Sequence, residues 1–344
     1  MARIALGLPV PLTRFVGREQ ELRELTVLLG ETRLLTLTGA GGVGKTRLAL
    51  ELATRAQQFA DGVCLVELAA TVDPETIPHT VGRALRWPGQ VDRLEQLVRA
   101  LGDRQLLLVV DNCEHLIAAC AALIETLLRA SPRLVVLATS RQPLGLAGET
   151  TWRVPSLSFP WPGEPAARED LRQYEAVRLF LDRAAQAEPH FKLTSVNAGA
   201  VAETCYRLDG IPLALELAAA RLRVLTVEQL AARLSDRFRL LASVQRGGLG
   251  RHQTLLASVE WSHELLSDSE RTLFRRLAGF ANGWTLEFAE RVCSFDGIVE
   301  ADVLDLLAQL VEKSLVHVER RERDALPAPG NAARLRAHPT DGQR

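Results

Sequence analysis

Residues 33–46 read RLLTLTGAGGVGKT, and the octet Gly39-Ala40-Gly41-Gly42-Val43-Gly44-Lys45-Thr46 decides the fold. It fits G-x-x-x-x-G-K-[ST] in the context that pattern needs. An apolar strand-like run, Arg33–Thr38, enters it, and RLALELATRAQQF leaves it with helical periodicity. The glycines let successive backbone N–H groups turn inward around a phosphate, a concavity that Cβ atoms would obstruct. The start of the next helix adds partial positive charge. From there Lys45 reaches the β- and γ-phosphates of a nucleotide and Thr46 offers a hydroxyl to Mg2+. Arg47 follows in the same turn as a further candidate contact. Lysine occurs only at 45, 192 and 313, so its presence in this octet is more telling than usual.

Outward from this octet, apolar runs recur at GVCLVEL (62–68), QLLLVVD (105–111), RLVVLATS (133–140) and TTWRVPSL (150–157). Helical patterns separate most of them, at 74–86, 91–101 and 117–130. Strands alternating with helices predict a doubly wound α/β sheet. The run Leu106–Val110 ends in Asp111, a carboxylate suited to hold Mg2+ through water. Asn112 follows, where many ATPases carry a second acid, so slow hydrolysis or tight nucleotide retention is expected. Glu114 is a candidate base, and an exposed helix cap is the competing reading. Arg141, after Thr139-Ser140, is suited to sense a γ-phosphate because guanidinium pairs phosphate oxygens bidentately. A surface arginine at a strand end is the alternative. The chain has no N-K-x-D guanine-reading motif, no L-S-G-G-Q signature and no D-E-A-D sequence. GTPases, transporter ATPases and helicases are thereby disfavoured.

With 344 residues, 47% hydrophobic and 24% charged, the chain suits two or three globular domains at about 150 residues each. A formal net charge of -1 provides no broad basic field for nucleic acid or acidic membranes. Five scattered cysteines, none as C-x-x-C, suggest reduced buried thiols rather than disulfides or a zinc site. No run approaches a membrane span and MARIALGLPVPLTR makes a poor signal peptide, so a soluble cytoplasmic protein is expected. Residues 1–155 read as the nucleotide-binding domain. SLSFPWPGEPAARED is a linker-like stretch, and 156–245 reads as a helical lid. QRGGLGRHQ marks another boundary. Four helices and the short strand SLVHVER then suggest a winged-helix-like domain over 246–319, with Ser267 and Glu270 placed as a capping box. From 320 to 344 the hydrophobic pattern stops and disorder is expected.

Together these motifs resemble the STAND class of signal-transduction ATPases, specifically the NB-ARC type of bacterial LuxR- and AfsR-like regulators. Phe15-Val16-Gly17-Arg18-Glu19, with Glu21-Leu22, resembles the family's motif that cradles adenine. Residues 38–46 resemble its phosphate loop, 109–112 its Walker B strand and 139–141 its sensor arginine motif. Gly210-Ile211-Pro212-Leu213-Ala214 is similar to its G-L-P-L lid motif, where the proline packs near the base. The resemblance covers about residues 10–318. It implies an AAA+-like parallel sheet, a helical lid and a winged helix, held closed by ADP and opened by ATP. It also implies a regulatory partner and self-association in the ATP state. The family's M-H-D-like motif, its C-terminal sensor repeats and a LuxR-type DNA-binding helix-turn-helix are not found, so the chain reads as a core module or a truncated product.

Two other functions compete with this reading. A winged-helix DNA-binding protein would need a cationic reading helix, yet residues 300–313 carry Glu300, Asp302, Asp305 and Glu312 against Lys313. Direct DNA binding is therefore disfavoured. A nucleotide-binding scaffold without turnover is suggested by Asn112 and the missing histidine motif.

Overall fold

A computed structural model describes residues 5–6, 8–87, 94–161, 170–234, 266–280, 284–313, 315–319 and 334–337. The chain divides into two compact units, Met1–Gly248 and Leu249–Arg344. The expected boundary near 245 and the expected helix at 254–266 lie, but for Leu266, outside the described residues.

In the first unit, β1 (Ala5–Leu6), β2 (Leu34–Thr38), β3 (Val63–Glu67), β4 (Leu107–Asp111), β5 (Val135–Thr139) and β6 (Thr150–Arg153) form one sheet in the order β1-β3-β4-β5-β2-β6. Every pairing is parallel. Strand alternation sorts the side chains between two cores. Cys64, Val66, Leu108, Val110, Val136 and Ala138 face α3 (Ile77–Ala84), α4 (Leu94–Leu101) and α5 (Ile117–Ala130). Leu35, Leu37, Leu65, Leu107, Val109 and Leu137 face α1 (Glu19–Glu31) and α2 (Lys45–Arg55). The five strand runs read from sequence all form. The two-residue edge strand β1 was not expected, because pairing this short carries no periodicity of its own.

The chain then leaves the sheet through Val154–Trp161 and continues into the lid helices α6 (Glu175–Ala187), α7 (Ala198–Arg207), α8 (Pro212–Ala220) and α9 (Val227–Arg233). Helix α6 packs along α8, burying Phe180, Leu215 and Ala218.

In the second unit, α10 (Asp268–Leu277), α11 (Leu286–Cys293) and α12 (Glu300–Glu312) enclose Leu273, Phe274, Trp284, Val303 and Leu310. Strand β7 (Val316–Glu319) pairs antiparallel with β8 (Arg334–Ala337). Thus part of the segment read as a disordered polar tail forms a strand. Arg334-Leu335-Arg336-Ala337 alternates polar and apolar residues, and pairing satisfies the open edge of β7. The stretch sits among Pro, Gly, Asn and charged residues with no apolar run to extend it, unlike the equally short β7 within SLVHVER.

The capping box forms as the spacing predicts. The Glu270 N–H donates to Ser267 Oγ at 3.3 Å, and the Ser267 N–H donates to Glu270 Oε2 at 2.6 Å. Lys313 Nζ also donates to both carboxylate oxygens of the buried Glu270, at 2.6 and 2.7 Å. Burial alone would raise the Glu270 pKa, but the Lys313 and Ser267 hydrogen bonds win and hold it below the usual range. Its stabilising contribution is therefore complete above the ordinary value of 4.5 and fades as acid carries the pH down through the lower folded value. Lys313→Met should cost about 2–4 kcal/mol at neutral pH and flatten this acid dependence. Denaturation of the full chain between pH 3 and 7 checks both, and an unchanged stability would mean the pair is dispensable.

Candidate nucleotide site

The sheet order sets β5 between β4 and β2, so three strand ends meet at one edge. Strand β2 delivers the loop Gly39–Gly44, β4 ends in Asp111, and β5 ends in Thr139 followed by Ser140 and Arg141. Carboxyl ends of parallel strands are where α/β proteins gather ligand-binding groups.

Lys45 is the first residue of α2, and its side chain folds back over the loop. Nζ donates to the carbonyls of Gly39 at 2.8 Å and Ala40 at 3.1 Å. Burial lowers its pKa to about 8; the Glu114 and Asp111 carboxylates oppose that shift and Arg141 adds to it. Thr46 Oγ1 donates to Asp111 Oδ1 at 2.8 Å, and Thr139 Oγ1 donates to the same oxygen at 2.5 Å. The Asn112 N–H in turn donates to Thr139 Oγ1 at 3.0 Å. Burial raises the Asp111 pKa, against the two hydroxyl donors and Lys45, with Glu114 reinforcing it.

Asn112 adopts the left-handed conformation, φ 66°, and turns the chain directly from β4 into a short 3-10 turn, Cys113–His115. Glu114 is buried as a result, which overturns the exposed-cap reading. Its Oε1 accepts from Asn112 Nδ2 and from Arg141 Nε, each at 3.4 Å, and its buried Oε2 has no hydrogen-bond partner among the described residues. Arg141 is also buried, not a surface residue; burial lowers its pKa and Glu114 counters that. Among the described residues, a carboxylate oxygen without a donor, an ammonium donating to loop carbonyls, and an Asp–Thr pair form a donor set that fits a magnesium nucleotide.

The other expected residues fall around this centre. Val16 is half-buried, while Gly17 and Arg18 are buried. Arg18 Nη2 donates to the Val43 carbonyl in the loop at 2.9 Å and to the Pro155 carbonyl at 2.8 Å. Gly41, Gly42 and Gly44 are half-buried, and Gly42 lies against the lid: a Cβ there would sit 2.9 Å from Leu213 Cβ. Pro212 opens α8 beside Gly44, and the Leu213 N–H donates to the Gly42 carbonyl at 3.2 Å. Arg47 donates to the Thr13 carbonyl, bracing the segment that leads to Val16. Sequence reasoning did not single out Thr139 as the holder of Asp111, nor Leu213 and Glu175 as contacts of the loop and the Gly17–Arg18 turn. Their signals are spatial; Glu175 is 157 positions from Arg18.

A parallel sheet with a G-x-x-x-x-G-K-T loop at one strand end and an aspartate two strands away defines a P-loop nucleotide-binding protein. A family model described as an AAA domain matches residues 29–148. Rv0894 of Mycobacterium tuberculosis, an uncharacterized protein, is 44% identical over 90% of this chain and 76% of its own length. Rv0890c of the same organism, named an HTH-type transcriptional regulator, is 48% identical over 85% of this chain and 32% of its own. The regulatory protein AfsR of Streptomyces griseus is 32% identical over 90% of this chain and 31% of its own. The chain thus spans about a third of the length of these two regulators. The Walker-type ATPase PABY2304 of Pyrococcus abyssi, 16% identical, matches 97% of each chain with a TM-score of 0.57, a likeness of fold. The chain belongs to the same family as Rv0894, a P-loop family with an AAA domain, and its matched span recurs as part of the longer AfsR regulatory protein. Among the described residues, no helix is long and apolar enough to cross a membrane.

Proposed function

We propose that the chain is an ATP/ADP-binding switch module of the NB-ARC type that hydrolyses ATP slowly with Mg2+ and regulates transcription through partner domains or proteins. The observation that carries this reading is the Lys45–Thr46–Asp111–Glu114–Arg141 cluster, bonded to the lid through Leu213 and Gly42. Lys45 binds the β- and γ-phosphates, Arg141 senses the γ-phosphate, Asp111 and Thr46 would hold Mg2+, and Val16–Arg18 with Pro212 line the base. Held there, Mg2+ would supply positive charge that offsets the charge of the phosphates. Glu114 accepts a proton from the attacking water at Oε2, the oxygen that has no donor of its own. Asn112, in place of a second acid, leaves that base alone and turnover slow.

Regulation is supported by the names of Rv0890c and AfsR. About two thirds of each of those proteins lies outside the match, so a DNA-reading element there says nothing of this chain's own surfaces. Helices α10–α12 with the β7–β8 pair are read as the winged helix, and the acidic face of α12 argues against phosphate contact. A cytoplasmic setting and self-association in the ATP state accompany this reading.

The test is the nucleotide that co-purifies, released by denaturation and read by ion-exchange chromatography, followed by turnover of added ATP. Stoichiometric ADP, and phosphate release on the order of 1 per minute or slower, are expected. Glu114→Gln should lower turnover about 100-fold while leaving ADP affinity within about 3-fold. An empty protein that also ignores added ATP and ADP would refute the switch. Binding without any turnover would leave a scaffold.

A further inference from the structure

We propose that Glu175 is a positioning residue for the bound nucleotide, acting through Arg18 on the phosphate loop. This role presupposes the nucleotide-switch reading above and assigns a task to a residue outside its motifs. Glu175 is the first residue of α6, in the lid, yet its carboxylate lies against the Gly17–Arg18 turn. Oε1 accepts the Arg18 backbone N–H at 2.5 Å, and Oε2 accepts the Ser158 backbone N–H at 3.3 Å. The approach requires a bare backbone at position 17, because a Cβ there would sit 2.8 Å from Oε1.

Arg18 itself is left-handed, φ 64°, a costly state for a side-chain-bearing residue that persists only where its surroundings enforce it. Its guanidinium then reaches Val43 in the phosphate loop and Pro155 in the linker. Burial works against the charge on Arg18, and Glu21 and Glu175 offset that. A continuous series of hydrogen bonds therefore joins the lid helix, the turn expected to face adenine, and a loop carbonyl. The nearby Arg178–Glu19 pair, at 3.4 Å and substantially exposed, is screened by solvent and cannot replace it. When α6 shifts, the Arg18 N–H loses its acceptor, the turn relaxes, and the guanidinium loses its register on Val43. Base-facing turn and phosphate loop then loosen together, and the nucleotide leaves.

Release of mant-ADP from the full chain into excess ADP, followed by stopped flow, tests this in wild type, Glu175→Ala, Glu175→Gln, Arg18→Ala and the Glu175→Ala/Arg18→Ala double variant. Glu175→Ala should release about 10-fold faster, and Glu175→Gln, whose amide oxygen still accepts one N–H, about 3-fold faster. In the Arg18→Ala background, which keeps the backbone N–H but has lost the step to Val43, Glu175→Ala should speed release by clearly less than the factor it gives in wild type. Equal release from wild type and Glu175→Ala, with Lys45→Ala failing to bind, overturns the positioning role and leaves the switch reading intact. Additive effects would make Glu175 ordinary lid packing and also overturn it. Wild type that does not bind mant-ADP overturns both. If Glu175→Ala does not fold, Glu175→Gln serves in the cycle in its place.

Discussion

Gly210→Ala should unfold the lid at temperatures where the wild type is fully native. Gly210 has φ +62°, and a Cβ built on it would lie 2.1 Å from the Leu157 carbonyl oxygen and 2.8 Å from Phe159 Cδ1. The first obstacle is backbone, so no side-chain rotation relieves it. The Leu157 N–H also donates to the Gly210 carbonyl at 3.0 Å, which pins the two strands of chain at the distance where the methyl group has no room. Left-handed strain and a displaced backbone together place the cost at about 3–5 kcal/mol. In a unit of this size that lowers the midpoint by about 10 °C. Differential scanning calorimetry of the full chain measures it. A midpoint within about 2 °C of wild type would show that the linker moves aside freely and that the lid motif is not held as described.

The second large effect is on binding. Lys45→Ala should weaken ADP affinity at least 100-fold, about 2.7 kcal/mol, with little loss of fold. The ammonium is buried and donates to two loop carbonyls, so its loss removes a positive charge seated on the loop. It also takes away the cation that acts on both Asp111 and Glu114, while Arg141 stays paired with Glu114, so a polyanion would enter a more negative site. Isothermal titration with Mg-ADP, alongside a thermal melt to verify folding, gives the answer. An affinity within about 5-fold of wild type would mean that the nucleotide does not occupy the loop.

Much of this site could be read from sequence because its spacing reflects local chemistry. Lys45 and Thr46 follow glycines in a strand-to-helix turn, Asp111 terminates an unbroken apolar run, and Arg141 follows another. Each is legible within about ten residues. Glu114 was legible as a candidate base but not separable from an exposed cap, since its burial depends on the left-handed turn at Asn112, and asparagine permits that conformation without demanding it. Thr139 and Glu175 were silent for a different reason. Their partners, Asp111 and Arg18, lie 28 and 157 positions away, and only the sheet order and the docking of α6 bring them together. The strand β1 escaped because two residues carry no alternation, and β8 because its four residues stand alone in a polar, Pro- and Gly-containing stretch.

The strand that carries the phosphate loop has neighbours on both sides: β5 along one edge and β6 along the other. Every residue of Leu34–Thr38 is buried. Fraying of the two-residue β1 at the far edge has three strands, β3, β4 and β5, to cross before it reaches β2. The other edge is different: β6, four residues with no buried one among them, is the direct neighbour of β2. Opening that reaches Gly39–Thr46 through the sheet therefore starts at β6, beside the segment Val154–Trp161 that leaves the sheet.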